Sequence, residues 1–137
     1  MRHRDIVRKN FSNLIAKLQE RSIMHDLSKL QEDEFDGFVE ADSAQLYKDF
    51  ASKEYHTKLK ENKGIALHLS RNRHHPDMFP NGVSDMSFID ILEMVVDWKS
   101  ASETYGTDFI EGLKYSFERF NLDEKQRWLV ELIAKDL

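Results

Sequence analysis

The sequence predicts an all-α protein, a single-domain bundle of six or seven helices spanning residues 1–137. Three observations favour this fold class. A chain of 137 residues suits one domain, and only 5 glycines and 2 prolines are available to interrupt helices. Apolar residues recur at spacings of three and four, and no useful stretch alternates as a strand would.

The first half of the chain predicts five helical segments. Residues 2–21 form a helix along which Val7, Phe11, Leu14 and Leu18 share one face, extended by His3. Residues 23–29 form a short helical piece, and residues 31–42 a short helix or turn. Residues 43–63 form a polar helix that Gly64 interrupts or bends. Residues 65–75 continue as a helix, which Pro76 limits because proline disfavours helical geometry at the preceding residue.

The second half predicts a loop and three helices. Residues 77–85 contain Pro80, Asn81 and Gly82 and are typical of a loop. Residues 87–104 form the most apolar helix, which Gly106 ends. Thr107 or Asp108 caps the next helix, which runs to about residue 120. Asp123 caps a last helix, which runs through residue 137. The apolar residues of the pair 107–137 are more typical of a core than of an interface: Phe109, Leu113, Phe117, Phe120, Trp128, Leu129 and Ile133.

Composition narrows the functional classes. The net charge of −5 argues against an extended nucleic-acid surface, and no apolar stretch approaches the length of a membrane span. The N-terminus lacks the apolar run of a secretory signal. The absence of cysteine excludes disulfides and thiolate zinc sites. We therefore expect a cytoplasmic protein.

Several of the six histidines lie in patterns that could bind a metal. His25 and Asp26 could reach one cation if the backbone turns between them, although a helix start capped by Asp26 is the simpler interpretation. In the helix 65–75, residues His68, Arg71, Asn72 and His75 share one face. This face is either solvated or the wall of a pocket, with Arg71 binding phosphate and Asn72 orienting it. The pattern leaves open whether His74 or His75 points inward.

Acidic residues form a stripe on the most apolar helix. Asp90, Glu93 and Asp97 follow one another at i, i+3 and i+7, and apolar residues cover most of the remaining circumference. An outward acidic stripe on an amphipathic helix would look the same. If the helix is central, a buried Asp97 needs a cation or hydrogen-bond donors. His56, alone on a polar helix, is expected to lie on the surface.

The ordered set His3, His25-Asp26, His68, His74-His75 and Asp97 resembles the HD-domain superfamily of metal-dependent phosphohydrolases. The segment His25-Asp26-Leu27-Ser28-Lys29 is similar to its His-Asp-x-Gly-Lys motif, with Ser28 in place of glycine. His68 and His74-His75 resemble the additional histidines of two-metal members. Arg2-His3, His68-x-x-x-Asn72-x-His74-His75 and Glu93-Met94-x-x-Asp97-Trp98 also resemble a family of small bacterial and phage proteins. The resemblance covers residues 2–103.

The resemblance implies one or two divalent ions. His3, His25, Asp26 and Asp97 would bind the first; Asp26 would bridge to a second, held by His68, His74 and His75. Histidine ligands favour Mn, Fe, Co, Ni or Zn, with Mg less suited. Lys29 and Arg71 would bind phosphate, and Glu34, Glu93 and Asp90 would orient a ligand or a water. His3 lies so near the chain start that its helix has little support there.

These inferences lead us to expect an enzyme, a phosphohydrolase that uses metal-bound water on a small phosphate ester such as a nucleotide. The reaction class comes from the resemblance. Two alternatives stay open: a non-enzymatic regulator that binds a nucleotide or a protein, and a di-iron oxygenase. Neither a Gly-rich phosphate loop nor a Ser-His-Asp pattern is present in the sequence.

Overall fold

The computed structural model describes residues 2–44 and 53–137, and within them the protein is all-α, as predicted. No strand occurs in these ranges. The helices, numbered in chain order, are α1 (His3–Met24), α2 (Glu32–Ser43), α3 (Lys53–Glu61), α4 (Lys63–Arg71), α5 (Phe88–Tyr105), α6 (Phe109–Arg119) and α7 (Glu124–Ala134). Short 3-10 turns cover Leu27–Leu30, Pro76–Met78 and Gly82–Asp85.

The main hydrophobic core lies in the C-terminal half, where α6 and α7 pack against α5. Met94, Val95 and Val130 are completely buried there, and Leu122 nearly so. Of the apolar residues predicted for the core of this pair, Leu113, Phe117 and Ile133 are buried and Trp128 is exposed. Burying each large apolar side chain stabilises the fold by roughly 1.5–3 kcal/mol, so α6 and α7 anchor the helix that carries the acidic stripe.

Helix α1, in contrast, buries none of its residues. The face that carries Val7, Phe11 and Leu14 is open to solvent, and Phe11 is 62% exposed. Its C-terminal end is better held, because Arg21 donates hydrogen bonds to Asp90 and Glu93 of α5 at 2.7 Å. The two ion pairs fix the end of α1 that leads into the His25-Asp26 turn.

Helices α2 and α4 cross at two glycines. A Cβ on Gly37 would come within 2.7 Å of the Gly64 Cα, and a Cβ on Gly64 within 2.8 Å of the Glu34 carbonyl oxygen. Only glycine permits this approach of two backbones. The crossing sets Glu34 of α2 against His68 of α4, so it positions part of the histidine cluster described below.

The observed boundaries differ from the predicted ones at three places. α1 continues through residue 24, so the predicted piece 23–29 is a helix end followed by a 3-10 turn. The predicted helix 43–63 falls partly on residues 45–52, outside the described residues, and α3 covers its end. The predicted helix 65–75 begins at Lys63 and ends at Arg71, where Asn72 turns extended and its side chain donates to the His68 carbonyl oxygen at 2.9 Å.

The predicted helix stops are confirmed farther along the chain. Gly106 ends α5 in the left-handed conformation with φ 65°, which glycine adopts without strain. Asp108 and Asp123 cap α6 and α7 by accepting from the amides of Glu111 and Gln126. Within the described ranges, none of the helices combines the length and apolar character that crossing a membrane would require.

Candidate metal centre

The His25-Asp26 pair lies at the sharp turn that follows α1. Asp26 adopts φ 57° and ψ 11°, a left-handed conformation that aspartate tolerates better than most residues. The turn brings both side chains to the same side. The sequence predicted that the two residues could share a cation if the backbone turned between them. The simpler interpretation is also met in part, because a 3-10 helix starts at Leu27 with Asp26 at its N-cap position, although the Asp26 side chain makes no cap hydrogen bond.

Three histidines cluster around Asp26, and two of them contact one of its oxygens. The Nε2 atoms of His68 and His74 lie 3.2 and 3.3 Å from Asp26 Oδ1, and His75 Nε2 lies 3.0 Å from His68 Nε2. One ligand atom from each of these four residues lies within 4.8 Å of the others. Both His74 and His75 therefore point into the cluster, which answers the question that helical phase left open.

The second oxygen of Asp26 belongs to another group of ligand atoms. His25 Nε2 lies 3.5 Å from Asp26 Oδ2 and 3.4 Å from Asp97 Oδ1, and these three residues form a second set with atoms within 4.8 Å. Asp26 thus faces two groups with two different oxygens. A carboxylate between two groups has the placement that a bridging role, as implied by the resemblance, would need.

Carboxylates outside the two groups fix the orientation of the histidine rings. His68 Nδ1 lies 3.0 Å from Glu34 Oε2, and Glu93 Oε1 lies 3.0 Å from His25 Nδ1 and 3.3 Å from His74 Nδ1. A carboxylate oxygen accepts a hydrogen bond, so a neutral ring that donates its Nδ1–H to it directs the Nε2 lone pair toward the cluster. Metal-binding histidines are oriented by carboxylates in this way.

The electrostatics of the cluster attract positive charge. Hydrogen bonds with Asp97 and Glu93 raise the pKa of His25 to about 10. Burial alone would raise the pKa of Asp26, but the adjacent His68, His74 and Lys29 hold that pKa well below its usual range. Burial, followed by the charges of neighbouring histidines, lowers the pKa of His75 well below its usual value. The centre thus combines an ionised carboxylate with a neutral imidazole.

Two buried atoms of the cluster lack a hydrogen bond among the described residues. They are Asp26 Oδ1 and His74 Nε2. A buried polar atom without a partner costs free energy, and both of these can accept a bond from a cation. Imidazole nitrogens with carboxylate oxygens are a donor set that suits Mn, Fe, Co, Ni and Zn. The residues present therefore fit the divalent ions that the sequence predicted.

An ion-pair network of Asp90 with two arginines, which the sequence did not reveal, lies next to the histidine cluster. Asp90 is completely buried and receives hydrogen bonds from Arg21 at 2.7 Å and from Arg73 at 2.8 Å. The predicted stripe on α5 is thus not outward, and its three residues differ in role. Asp90 joins α1 and the segment after α4 to α5, Glu93 contacts two histidine rings, and Asp97 lies in a ligand group. Arg21 lies one helical turn before His25, a spacing that could have indicated it.

Lys29 lies beside the centre and lines a cavity of about 560 Å³. Its Nζ is 2.5 Å from Asp26 Oδ2 and 4.7 Å from the centre of the Phe38 ring. The same cavity is lined by His68, His75 and Asp97, and by aromatic residues of α3, α5 and α6. A substrate in the cavity would meet both ligand groups and the ammonium of Lys29.

The structure does not bring four singled-out residues to their predicted positions. His3 is exposed at the far end of α1, and eighteen residues of helix place it about 27 Å from Arg21, so it is no ligand of this cluster within one chain. Arg71 pairs with Asp33 at 2.8 Å and Glu34 at 3.4 Å and does not line the cavity.

The remaining two are Asn72 and His56. Asn72 donates to Ser28 Oγ at 2.8 Å, so it holds the turn after α1 against α4 and does not face a substrate. The prediction that His56 is a surface residue is wrong. It lines the cavity and stacks on Tyr115 with ring centres 5.2 Å apart. Burial, followed by the charge of Arg119, lowers its pKa to about 3.

Comparison with known proteins gives one result. The model of a family described as "Family of unknown function (DUF5662)" matches residues 1–136. No curated protein and no solved structure matches the chain. Since the match covers nearly the whole sequence, the protein belongs to the DUF5662 family.

Proposed function

We propose that this protein is a metal-dependent phosphohydrolase that acts on a small phosphate ester. The observation that carries the proposal is the close group of Asp26, His68, His74 and His75, in which the buried atoms Asp26 Oδ1 and His74 Nε2 have no hydrogen-bond partner among the described residues. Acceptors in such a group repel one another unless a cation binds among them. The ordered His-Asp pattern of the sequence supports the reaction class by its resemblance to HD-domain enzymes.

The side chains have distinct roles in this proposal. Asp26, His68, His74 and His75 would hold one ion, and His25, Asp26 and Asp97 a second, with Asp26 bridging. Two such ions supply Lewis-acid activation of a phosphoryl group and of the attacking water. Glu34 and Glu93 act as positioning residues, because they hold the histidine rings with Nε2 inward.

Lys29 is the group best placed to bind the substrate. Its ammonium lies in the cavity beside Asp26, and it would donate to a phosphate oxygen as the phosphate approaches the ions. Arg71 is already paired with the carboxylates of Asp33 and Glu34 of α2 and does not line the cavity. The phosphate-binding role is therefore assigned to Lys29 alone.

The direct test measures metal content and turnover on the same preparation. Untagged protein is analysed for transition metals, and phosphate release is then followed over a panel of phosphate esters with Mn, Co, Fe and Mg. Two metals per chain and release that disappears in Asp26→Asn would support the proposal. Metal without release from any ester would favour a binder or an oxygenase, the latter distinguished by oxygen consumption with iron. A protein that binds no transition metal would refute the centre itself.

A further inference from the structure

Arg119 is the one arginine among the described residues of the cavity wall, and its guanidinium is poorly compensated. Arg21, Arg71 and Arg73 each donate to a carboxylate within 2.8 Å. The Arg119 side chain is only 20% exposed, yet it donates no hydrogen bond to a described residue and approaches Asp77 Oδ2 no closer than 3.9 Å. Burial lowers the pKa of this guanidinium. A largely buried charge without hydrogen bonds is unfavourable unless a ligand completes it.

Asp77, beside Arg119, has a buried carboxylate oxygen that lacks a hydrogen-bond donor in the described part of the chain. Its Oδ1 accepts from Lys60 at 2.7 Å, whereas its Oδ2 is buried and has no hydrogen-bond partner among the described residues. Both Asp77 and Arg119 line the cavity that reaches the metal centre. The cavity therefore contains an unused donor fork and an unused acceptor next to each other.

Flat aromatic surfaces surround this pair. The Arg119 guanidinium lies 4.5 Å from the centre of the Phe120 ring, which stacks on Trp98 with an angle of 8° between the planes. Tyr115 and His56 form a second stack with planes 16° apart. All four rings line the cavity. Aromatic surfaces of this kind stabilise flat ligand rings by stacking.

We propose that Arg119 and Asp77 recognise the organic part of the substrate, a flat heterocycle that carries a hydrogen-bond acceptor and an N–H side by side on one edge. Arg119 donates to the acceptor and Asp77 Oδ2 accepts from the N–H. The carboxylate beside the guanidinium disfavours a second phosphate at this position, because the two anions repel. The nucleobases carry such edges. The inference deepens the proposed function and rests on it for the reacting phosphate.

Equilibrium binding of unphosphorylated nucleosides tests this recognition without turnover. Calorimetric titrations with uridine and adenosine are compared for the wild-type protein, Arg119→Met and Arg119→Lys. The matched control is Arg127→Met, an arginine that donates to a backbone carbonyl oxygen and lies outside the cavity. We expect saturable binding that weakens about tenfold or more in both Arg119 variants and within twofold in the control. The lysine variant keeps the charge but loses the fork, so it remains informative if the methionine variant does not fold.

The outcomes separate this inference from the proposed function. Nucleoside binding that persists in Asp26→Asn and is lost in the Arg119 variants supports the recognition site even if no ester is hydrolysed. Absence of nucleoside binding to the wild-type protein, with and without metal, overturns it even if simple esters are hydrolysed. It is also overturned if Arg119→Lys weakens binding of inorganic phosphate but leaves nucleoside binding unchanged, since Arg119 would then serve the phosphate.

Discussion

Glu93→Gln is the perturbation that most directly tests how the centre is oriented. Glu93 Oε1 accepts from His25 Nδ1 at 3.0 Å and His74 Nδ1 at 3.3 Å, while Oε2 accepts from Arg21 at 2.7 Å. A glutamine has one acceptor oxygen and one NH₂ donor. If the glutamine oxygen accepts from the histidines, its NH₂ group faces the Arg21 guanidinium, and two donors meet. If the oxygen accepts from Arg21 instead, the NH₂ group faces the N–H groups of both histidine rings.

The expected loss follows from the number of partners. Removing a partner that orients a ligand histidine costs about 10–100-fold in metal affinity, which is about 1.4–2.7 kcal/mol. Glu93 serves one histidine in each ligand group, and its negative charge favours a cation in both. We therefore expect the affinity for Co²⁺ to fall by about 100-fold, the upper end of that range. Side-chain volume is nearly unchanged, so the helical content should stay constant.

Calorimetric titration of the chelator-stripped protein with Co²⁺ provides the measurement, and circular dichroism checks the helices. Glu118→Gln is the matched control. Glu118 is exposed on α6, so the substitution removes the same charge outside the two ligand groups. A Glu93→Gln variant that binds Co²⁺ within threefold of the wild-type protein would refute the reasoning. Equal losses in both variants would show that net charge, rather than ring orientation, controls the affinity.

Three further predictions concern the ligands, the helix crossing and the buried network. His25→Ala and Asp97→Ala should each abolish one metal equivalent by elemental analysis while circular dichroism stays largely unchanged; full stoichiometry in either would contradict the ligand assignment. Gly64→Ala should lower the free energy of unfolding in urea by about 2 kcal/mol or more through backbone overlap, whereas Gly112→Ala, whose Cβ would meet nothing closer than 3.9 Å, should be neutral or stabilising. Asp90→Asn should lower the free energy of unfolding by about 2 kcal/mol at pH 7. Burial raises the pKa of Asp90, but its hydrogen bonds, chiefly with arginine, lower it to about 2, below the value in the unfolded chain. The stabilisation by the ionised Asp90 is therefore present above about pH 4 and is lost as the pH falls toward 2. A urea midpoint difference between wild type and variant that persists at pH 2 would contradict this.

Much of the centre could be predicted because its residues occupy short motifs. His25-Asp26 and His74-His75 each place two polar side chains where the backbone turns, and a turn brings neighbours to one side. Asp97 could be predicted because most of α5 around it is apolar, which makes an outward orientation of every acidic residue costly. In these cases the local sequence carries the information that the fold uses.

The errors have a common physical origin, since they depend on where helices end and point. The helix predicted through residue 75 ends at Arg71, so His75 reaches His68 through an extended segment and not along a helix face. The resemblance placed His3 in the first ligand group, but the rise along α1 separates it from the end of the helix that leads into the His25-Asp26 turn. Arg119 carries no motif at all; only the packing of α6 against α5 brings it to the cavity.

Asp26 is the position at which backbone and chemistry depend on each other. Its left-handed conformation costs of order 1 kcal/mol or more relative to glycine, which could make the same turn without strain. Glycine would leave both histidine groups without a shared carboxylate, and asparagine would offer only one acceptor oxygen in place of two. Each Asp26 oxygen faces a different set of imidazoles, so neither substitute supplies what the two groups require. Under the proposed function, the requirement for a carboxylate that reaches both groups explains why a strained residue occupies the turn.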